Sequence, residues 1–115
     1  MLVNLTPHAL TLRNTWTLVD TVLPPSGTVA RVTVTPGKPE KVPGLPVPVV
    51  SADRVDGVEG LPEPQEGVFL VVSGFVGAAV KGTRPDVLVP GTGPKDGVVR
   101  NEKGHVVAVT CLKRV

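Results

Sequence analysis

The chain has 115 residues, 41% of them hydrophobic, with 13 glycines, 13 prolines and a formal net charge of +2. That length gives one domain over residues 1–115, able to bury roughly two-thirds of the surface its unfolded chain exposes, and the Gly plus Pro share stays short of what marks a disordered chain. Aromatic residues make up only 3% and the 12 Lys+Arg are scattered among 10 Asp+Glu, which excludes both the stacking platforms and the basic footprint of a nucleic-acid binder.

Valine dominates the apolar set, and isoleucine and tyrosine are absent. β-branched side chains are stiff at χ1 and suit pleated strands. The expected fold is therefore mainly β: a small antiparallel barrel or sandwich of about six to eight strands with one short helix. Exposed strand edges in so small a chain need covering, so a homo-oligomer is expected. Few Asn, Gln, Cys and Met, with prolines in loops, match a thermostable composition, a bias a GC-rich genome also produces.

Residues 2–5 begin a strand that Thr6-Pro7 interrupts, because proline donates no ladder hydrogen bond. The N-terminal apolar run is broken by Asn4, Thr6, Pro7 and His8 before a signal-peptide core forms. No stretch reaches the ~18 apolar residues of a membrane helix. The expected setting is cytoplasmic or virion-associated, without a membrane partner.

Residues 9–13 and 16–23 read as a hairpin around Asn14-Thr15. Pro24-Pro25-Ser26-Gly27 has turn chemistry and is expected to join 16–23 to a partner strand at 28–34. Alternation there puts Arg31 opposite the most apolar positions, exposed or reaching into a polar site. The proline-rich segment 35–48 reads as a loop or edge wrap, with brief pairing at 47–51 before the turn-like 53–57. Residues 60–64 are a second stiff crossing.

The stretch 68–80 carries no charge and both phenylalanines, and it reads as the core. It divides at Ser73, a candidate N-cap, into a buried strand at 68–72 and a short helix at 74–81 closed by Gly82. Gly74 and Gly77 weaken that helix alone and are expected to let it approach the sheet closely. A strand at 87–89, a turn-rich loop at 90–97 and a final hairpin of 98–100 with 105–112 complete the chain. Cys111 lies in the last strand and reads as a buried small hydrophobe.

Two histidines and one cysteine give no metal-ligand spacing, so neither metal nor other cofactor is expected. His8 at a strand irregularity is an acid–base or binding candidate, or simply bonded to local backbone; His105 flanks an exposed turn. Ser73 stands where a hydrolase nucleophile would, but Val-Val-Ser-Gly-Phe lacks the first glycine of the G-x-S-x-G elbow and the cap reading wins. A Ser73/His8 hydrolase therefore stays a minor alternative to a non-enzymatic protein. Gly91-Thr-Gly-Pro-Lys95 lacks phosphate-cradle spacing. Arg84 and Asp86, two apart, face one way as an ion pair or as the frame of a polar pocket with Arg31 and Arg100.

Asn4-Leu-Thr-Pro-His8, Pro24-Pro-Ser-Gly27 with Ala30-Arg31, Gly60-Leu-Pro-Glu-Pro64, Val72-Ser73, Arg84-x-Asp86 and Arg100-Asn-Glu-x-Gly104 together resemble a family of short proteins carried by bacteriophages and some bacteria. The resemblance spans most of the chain and implies a phage or prophage setting without an activity. Two readings follow. In the first, Asn4, Thr6, His8, Arg31, Ser73, Arg84, Asp86 and Arg100 converge on a site for a small anionic or nucleotide-like ligand, sequestered to evade host defence. In the second, the protein is a virion structural or assembly component whose proline-rich wrap and valine-rich strands pack against other subunits.

Overall fold

The computed structural model describes residues 1–115. The first part of the chain forms β1 (Leu2–Asn4), β2 (Leu10–Arg13), β3 (Asp20–Leu23), β4 (Arg31–Thr35), β5 (Pro39–Glu40), β6 (Val49–Val50) and β7 (Arg54–Glu59). There follow β8 (Phe69–Val71), α1 (Gly74–Ala79), β9 (Val87–Pro90), β10 (Val99–Arg100), β11 (Val106–Ala108) and β12 (Leu112–Arg114). No helix is long and apolar enough to cross a membrane.

The body is one four-stranded sheet in the order β1-β8-β9-β12. β8 is parallel to both β1 and β9, while β12 closes the other edge antiparallel to β9. Parallel neighbours need a crossover, and α1 supplies it between β8 and β9. β8 is apolar on both faces because it lies between two strands and beneath the helix. Leu5, Ala30, Leu70, Val72, Val76 and Val87 form the buried cluster.

The helix begins as its sequence dictates: the Ser73 side chain caps it by accepting from the Val76 N–H at 3.3 Å. Gly77 is buried, and a Cβ there would meet Val89 Cγ1 at 2.5 Å and Val115 Cγ1 at 2.8 Å, so only glycine allows this approach to the sheet. Gly74 faces open space and has no such role.

The mainly β expectation holds, and most strand pairs are antiparallel, but the core sheet rests on parallel pairing and no sheet closes into a barrel. The remaining strands form four separate two-stranded pairs: β2-β3, β4-β7, β5-β6 and β10-β11. The first and last expected hairpins are present. The predicted pairing of 16–23 with 28–34 is not. Pro24 and Pro25 offer no N–H to extend a ladder on β3, and the chain instead crosses to β1, where Ser26 N donates to the Asn4 carbonyl at 2.9 Å and Ala30 N to that of Leu5 at 3.0 Å.

β4 pairs with β7, a segment read from sequence as turn-like because of Asp53, Asp56 and Gly57. Pairing satisfies those residues: Asp56 accepts from the Thr35 hydroxyl at 2.6 Å and from Arg54 Nε at 2.8 Å, and the Thr33 hydroxyl donates to the Gly57 carbonyl at 3.1 Å. Together β4-β7 and β5-β6 make one ribbon over residues 31–59.

Two further expectations are corrected. Phe75 is 65% exposed and Phe69 36%, so the core of 68–80 is aliphatic, built on Leu70, Val71, Val72 and Val76. Cys111 is exposed. Strand β11 ends at Ala108 and the chain breaks at Thr110-Cys111 before β12, which ends the alternation that would have turned the thiol inward.

Candidate functional site

The eight residues singled out from sequence fall into five separate groups. Asn4 and Thr6 are buried together at the end of β1. Asn4 Nδ2 donates to the carbonyls of His8 (2.8 Å) and Leu23 (3.0 Å), and its Oδ1 accepts from Thr6 N (2.9 Å) and from the Thr6 hydroxyl (2.6 Å). Every polar atom of this knot has a partner. It holds the Thr6-Pro7-His8 turn against the end of β3, and the His8 contribution to it is the backbone carbonyl.

Ser73 spends its hydroxyl on the helix cap and makes no hydrogen bond with His8 or Asp86. Arg84 and Asp86 form a bidentate ion pair, Nε to Oδ1 and Nη2 to Oδ2 both at 2.9 Å, with side chains only 17% and 12% exposed. Arg84 Nη2 also donates to the Pro62 carbonyl at 2.6 Å, tying the 60–64 crossing to the body. The Arg84 hydrogen bonds hold the Asp86 carboxyl below the usual carboxylate range.

Arg31 is exposed on β4, in register with Glu59 of β7. Arg100 donates to the carbonyls of Gly104 (2.8 Å) and Thr92 (3.4 Å), bracing the last hairpin against the 90–97 loop. Arg84 and Arg100 are thus engaged with different partners in different parts of the fold. Neither of two cavities, of about 590 and 600 Å³, is lined by more than one of the three arginines.

The best-formed concavity was not anticipated. It is a cleft of about 590 Å³ between the β2-β3 hairpin and the segment running from β11 into β12. Its floor is aliphatic, from Leu2, Leu12, Val109 and Leu112, with Thr110 and Cys111 alongside. A single parallel bridge creates it: Arg13 N donates to the Val109 carbonyl and Val109 N to that of Thr11, each at 2.9 Å. No local sequence signal announces a one-residue bridge between positions 12 and 109.

The charge at this cleft is already compensated. Arg13 holds Asp20 through Nε–Oδ1 at 2.8 Å and Nη2–Oδ2 at 3.1 Å, which lowers the Asp20 carboxyl below its ordinary range. Next to Cys111, Asp96 accepts from Gly93 N at 2.8 Å and pairs with Lys113 at 3.2 Å, and the backbone hydrogen bond lowers its carboxyl most. The cleft therefore suits a neutral, apolar guest.

The turn over residues 14–19 forms one wall. Asn14 Oδ1 accepts from the N–H groups of Trp16 (2.9 Å) and Thr17 (3.2 Å), and Leu18 adopts φ 58°, so the turn is fixed by an asparagine side chain in place of glycine. Asn14, Thr17 and Val19 line the cleft, and Trp16, between them in sequence, is 94% exposed. The strand expected from residue 16 begins only at Asp20, so Trp16 stands in the turn, which the strand reading had hidden.

A second hollow, about 600 Å³, is wholly polar and lined by Arg100, Asn101, Glu102, Lys103 and His105 at the β10-β11 turn. Scanned against protein-family models, curated proteins and solved structures, the chain finds no match.

Proposed function

We propose that this protein is a non-enzymatic assembly component of a phage-type particle, working by association with further copies or other subunits. One observation carries this reading: the folded chain leaves too much surface uncovered for a self-sufficient monomer. Its accessible surface is 8071 Å², whereas a compact monomer of this mass exposes about 6000 Å². Its radius of gyration is 17.6 Å against about 13 Å for a compact chain of this length. The excess, roughly 2000 Å², is of the order that a specific protein interface buries.

The ribbon contributes to that excess: Val34, Leu45, Val47, Val49, Val50 and Val55 are each at least 40% exposed. On this reading a β-sandwich is completed between copies, when ribbons stack on neighbouring bodies, and the protein resides in the virion or in the cytoplasm of an infected cell. Light scattering after size exclusion is expected to give a multimer mass that rises with concentration, and mass spectrometry of purified particles to detect the chain. A monodisperse monomer at millimolar concentration, absent from particles, overturns the proposal.

The polar hollow at Arg100, Lys103 and His105 favours a second reading, a binder of a small anionic or nucleotide-like ligand in host-defence evasion. The Arg100 and Lys103 cations sit with Glu102 at a hairpin turn, where binding groups are commonly placed. Calorimetry against linear and cyclic nucleotides tests it; no heat from any member removes it.

A further inference from the structure

The ribbon ends in a segment built unlike the rest of the surface. Residues 42–52 contain no charged side chain, and Pro43, Pro46 and Pro48 alternate with small and aliphatic residues. Leu45 is 50% exposed, Val47 65% and Val50 57%. The paired levels from Arg31↔Glu59 to Pro39↔Val50 and the turn closed by Leu45 N to the Val42 carbonyl place this tip at the far end of the ribbon. At about 3.3 Å per residue the ribbon reaches roughly 35 Å, within a molecule 60 Å long.

A tip of this chemistry is costly to leave in water, and the same molecule carries its complement. The cleft between the β2-β3 hairpin and the β11–β12 segment has an aliphatic floor, and its one arginine is already paired. One of its walls is the turn over residues 14–19, which also carries the exposed Trp16. The tip is itself a closed turn, with Gly44 at φ 88° and Leu45 N bonded to the Val42 carbonyl, so its shape is set before any contact is made.

Resting on the assembly reading above, we propose that the ribbon tip of one copy seats its Leu45 and Val47 in the cleft beside Trp16 of the next copy. The contact is head-to-tail: tip and cleft are different surfaces, so each copy donates one and receives one, and the chain of contacts closes into a ring or continues as a filament. The occupant is a second copy of this chain because the uncovered area matches an interface and both halves of an uncharged, complementary pair are present on each molecule. Leu45 and Val47 are the anchors, and Trp16 is the aromatic partner expected to carry much of the binding.

The test uses the full chain and its native probes. Trp16 is the sole tryptophan and Cys111, in the cleft lining, the sole cysteine. Trp16 emission is expected to shift to the blue as concentration rises. In L45D/V47D the shift should move to higher concentration by on the order of tenfold or more; both positions are exposed, so circular dichroism should be unchanged. In V47C, oxidised glutathione should generate an intermolecular disulfide with Cys111 that disappears in V47C/C111S.

A crosslink that persists in V47C/C111S, or one formed within a single copy, overturns tip-to-cleft docking. A multimer whose Trp16 emission is unchanged across its assembly range, in wild type and L45D/V47D alike, overturns the docking while leaving the assembly reading intact. A chain that stays monomeric with constant emission overturns both.

Discussion

The body sheet and the projecting ribbon are written in nearly the same alphabet and end in opposite environments. Val71, Val72 and Val87 are 0% exposed, whereas Val49, Val50 and Val55 are 44%, 57% and 51% exposed. Strand content does not separate them. Layering does: β8 has a strand on each side and shares a buried cluster with Val76 of the helix, while the ribbon packs on that core through Val32 and Val58 and its β5-β6 pair is a sheet of two strands alone. A lone two-stranded ribbon is marginal in water, and on the assembly proposal its apolar side chains serve contacts with other copies.

The sharpest way to break that comparison is to truncate one leucine in each region. Leu70→Ala, in β8, is expected to cost about 2–5 kcal/mol through lost burial and a residual cavity. Leu45→Ala, at the tip, should change stability by less than about 0.5 kcal/mol when the chain is dilute. Urea unfolding of both variants decides it; equal losses would mean that the tip is packed within its own molecule.

Asn4→Ala tests whether the buried knot belongs to the body's architecture. It removes the donor to the His8 and Leu23 carbonyls and the acceptor of the Thr6 N–H, for an expected loss of about 3 kcal/mol, with any multimer formation unaltered in the surviving fold. Loss of assembly at full stability would assign the knot to an interface instead.

The Arg84–Asp86 pair anchors the body at the other end. Because the folded carboxyl titrates below its unfolded value of about 3.9, its stabilisation is fully present above that pH and is lost as pH falls through the folded value. Asp86→Asn should cost about 1.5–3 kcal/mol at pH 7, with the gap to wild type narrowing at pH 3. A gap independent of pH would remove the ion pair as its cause.

The smallest expected effects separate two glycines three residues apart. Gly77→Ala forces Val89 or Val115 to move and should cost about 1–3 kcal/mol. Gly74→Ala meets nothing and should stabilise the helix by about 0.4–1 kcal/mol. Thermal unfolding of the pair reports how closely α1 lies on β9.

Individual elements were legible where the cause is local. Ser73 as cap, the Asn101–Gly104 turn and the facing of Arg84 and Asp86 follow from cap, turn and period-two geometry that neighbouring residues dictate, whereas the helix ends at Ala79 with Val80 as its C-cap, ahead of the expected Gly82. The grouping of the eight candidate residues was not legible, because facing says nothing of which elements meet. Arg84 found Pro62, Arg100 found Thr92 and Asn4 found Leu23, each across a separation that no local pattern encodes.

By itself, then, the sequence determined a valine-rich, mainly β chain with one weak capped helix and a proline-stiffened segment, since composition and short-range sterics set local conformation. Only the tertiary structure decided that β1, β8 and β9 run parallel, that β4 pairs with β7 across the proline-rich segment, and that Leu12 meets Val109 to open a cleft. Those pairings compete over the whole chain for apolar burial and hydrogen-bond satisfaction, and the winning set leaves one valine-rich region covered and the other exposed.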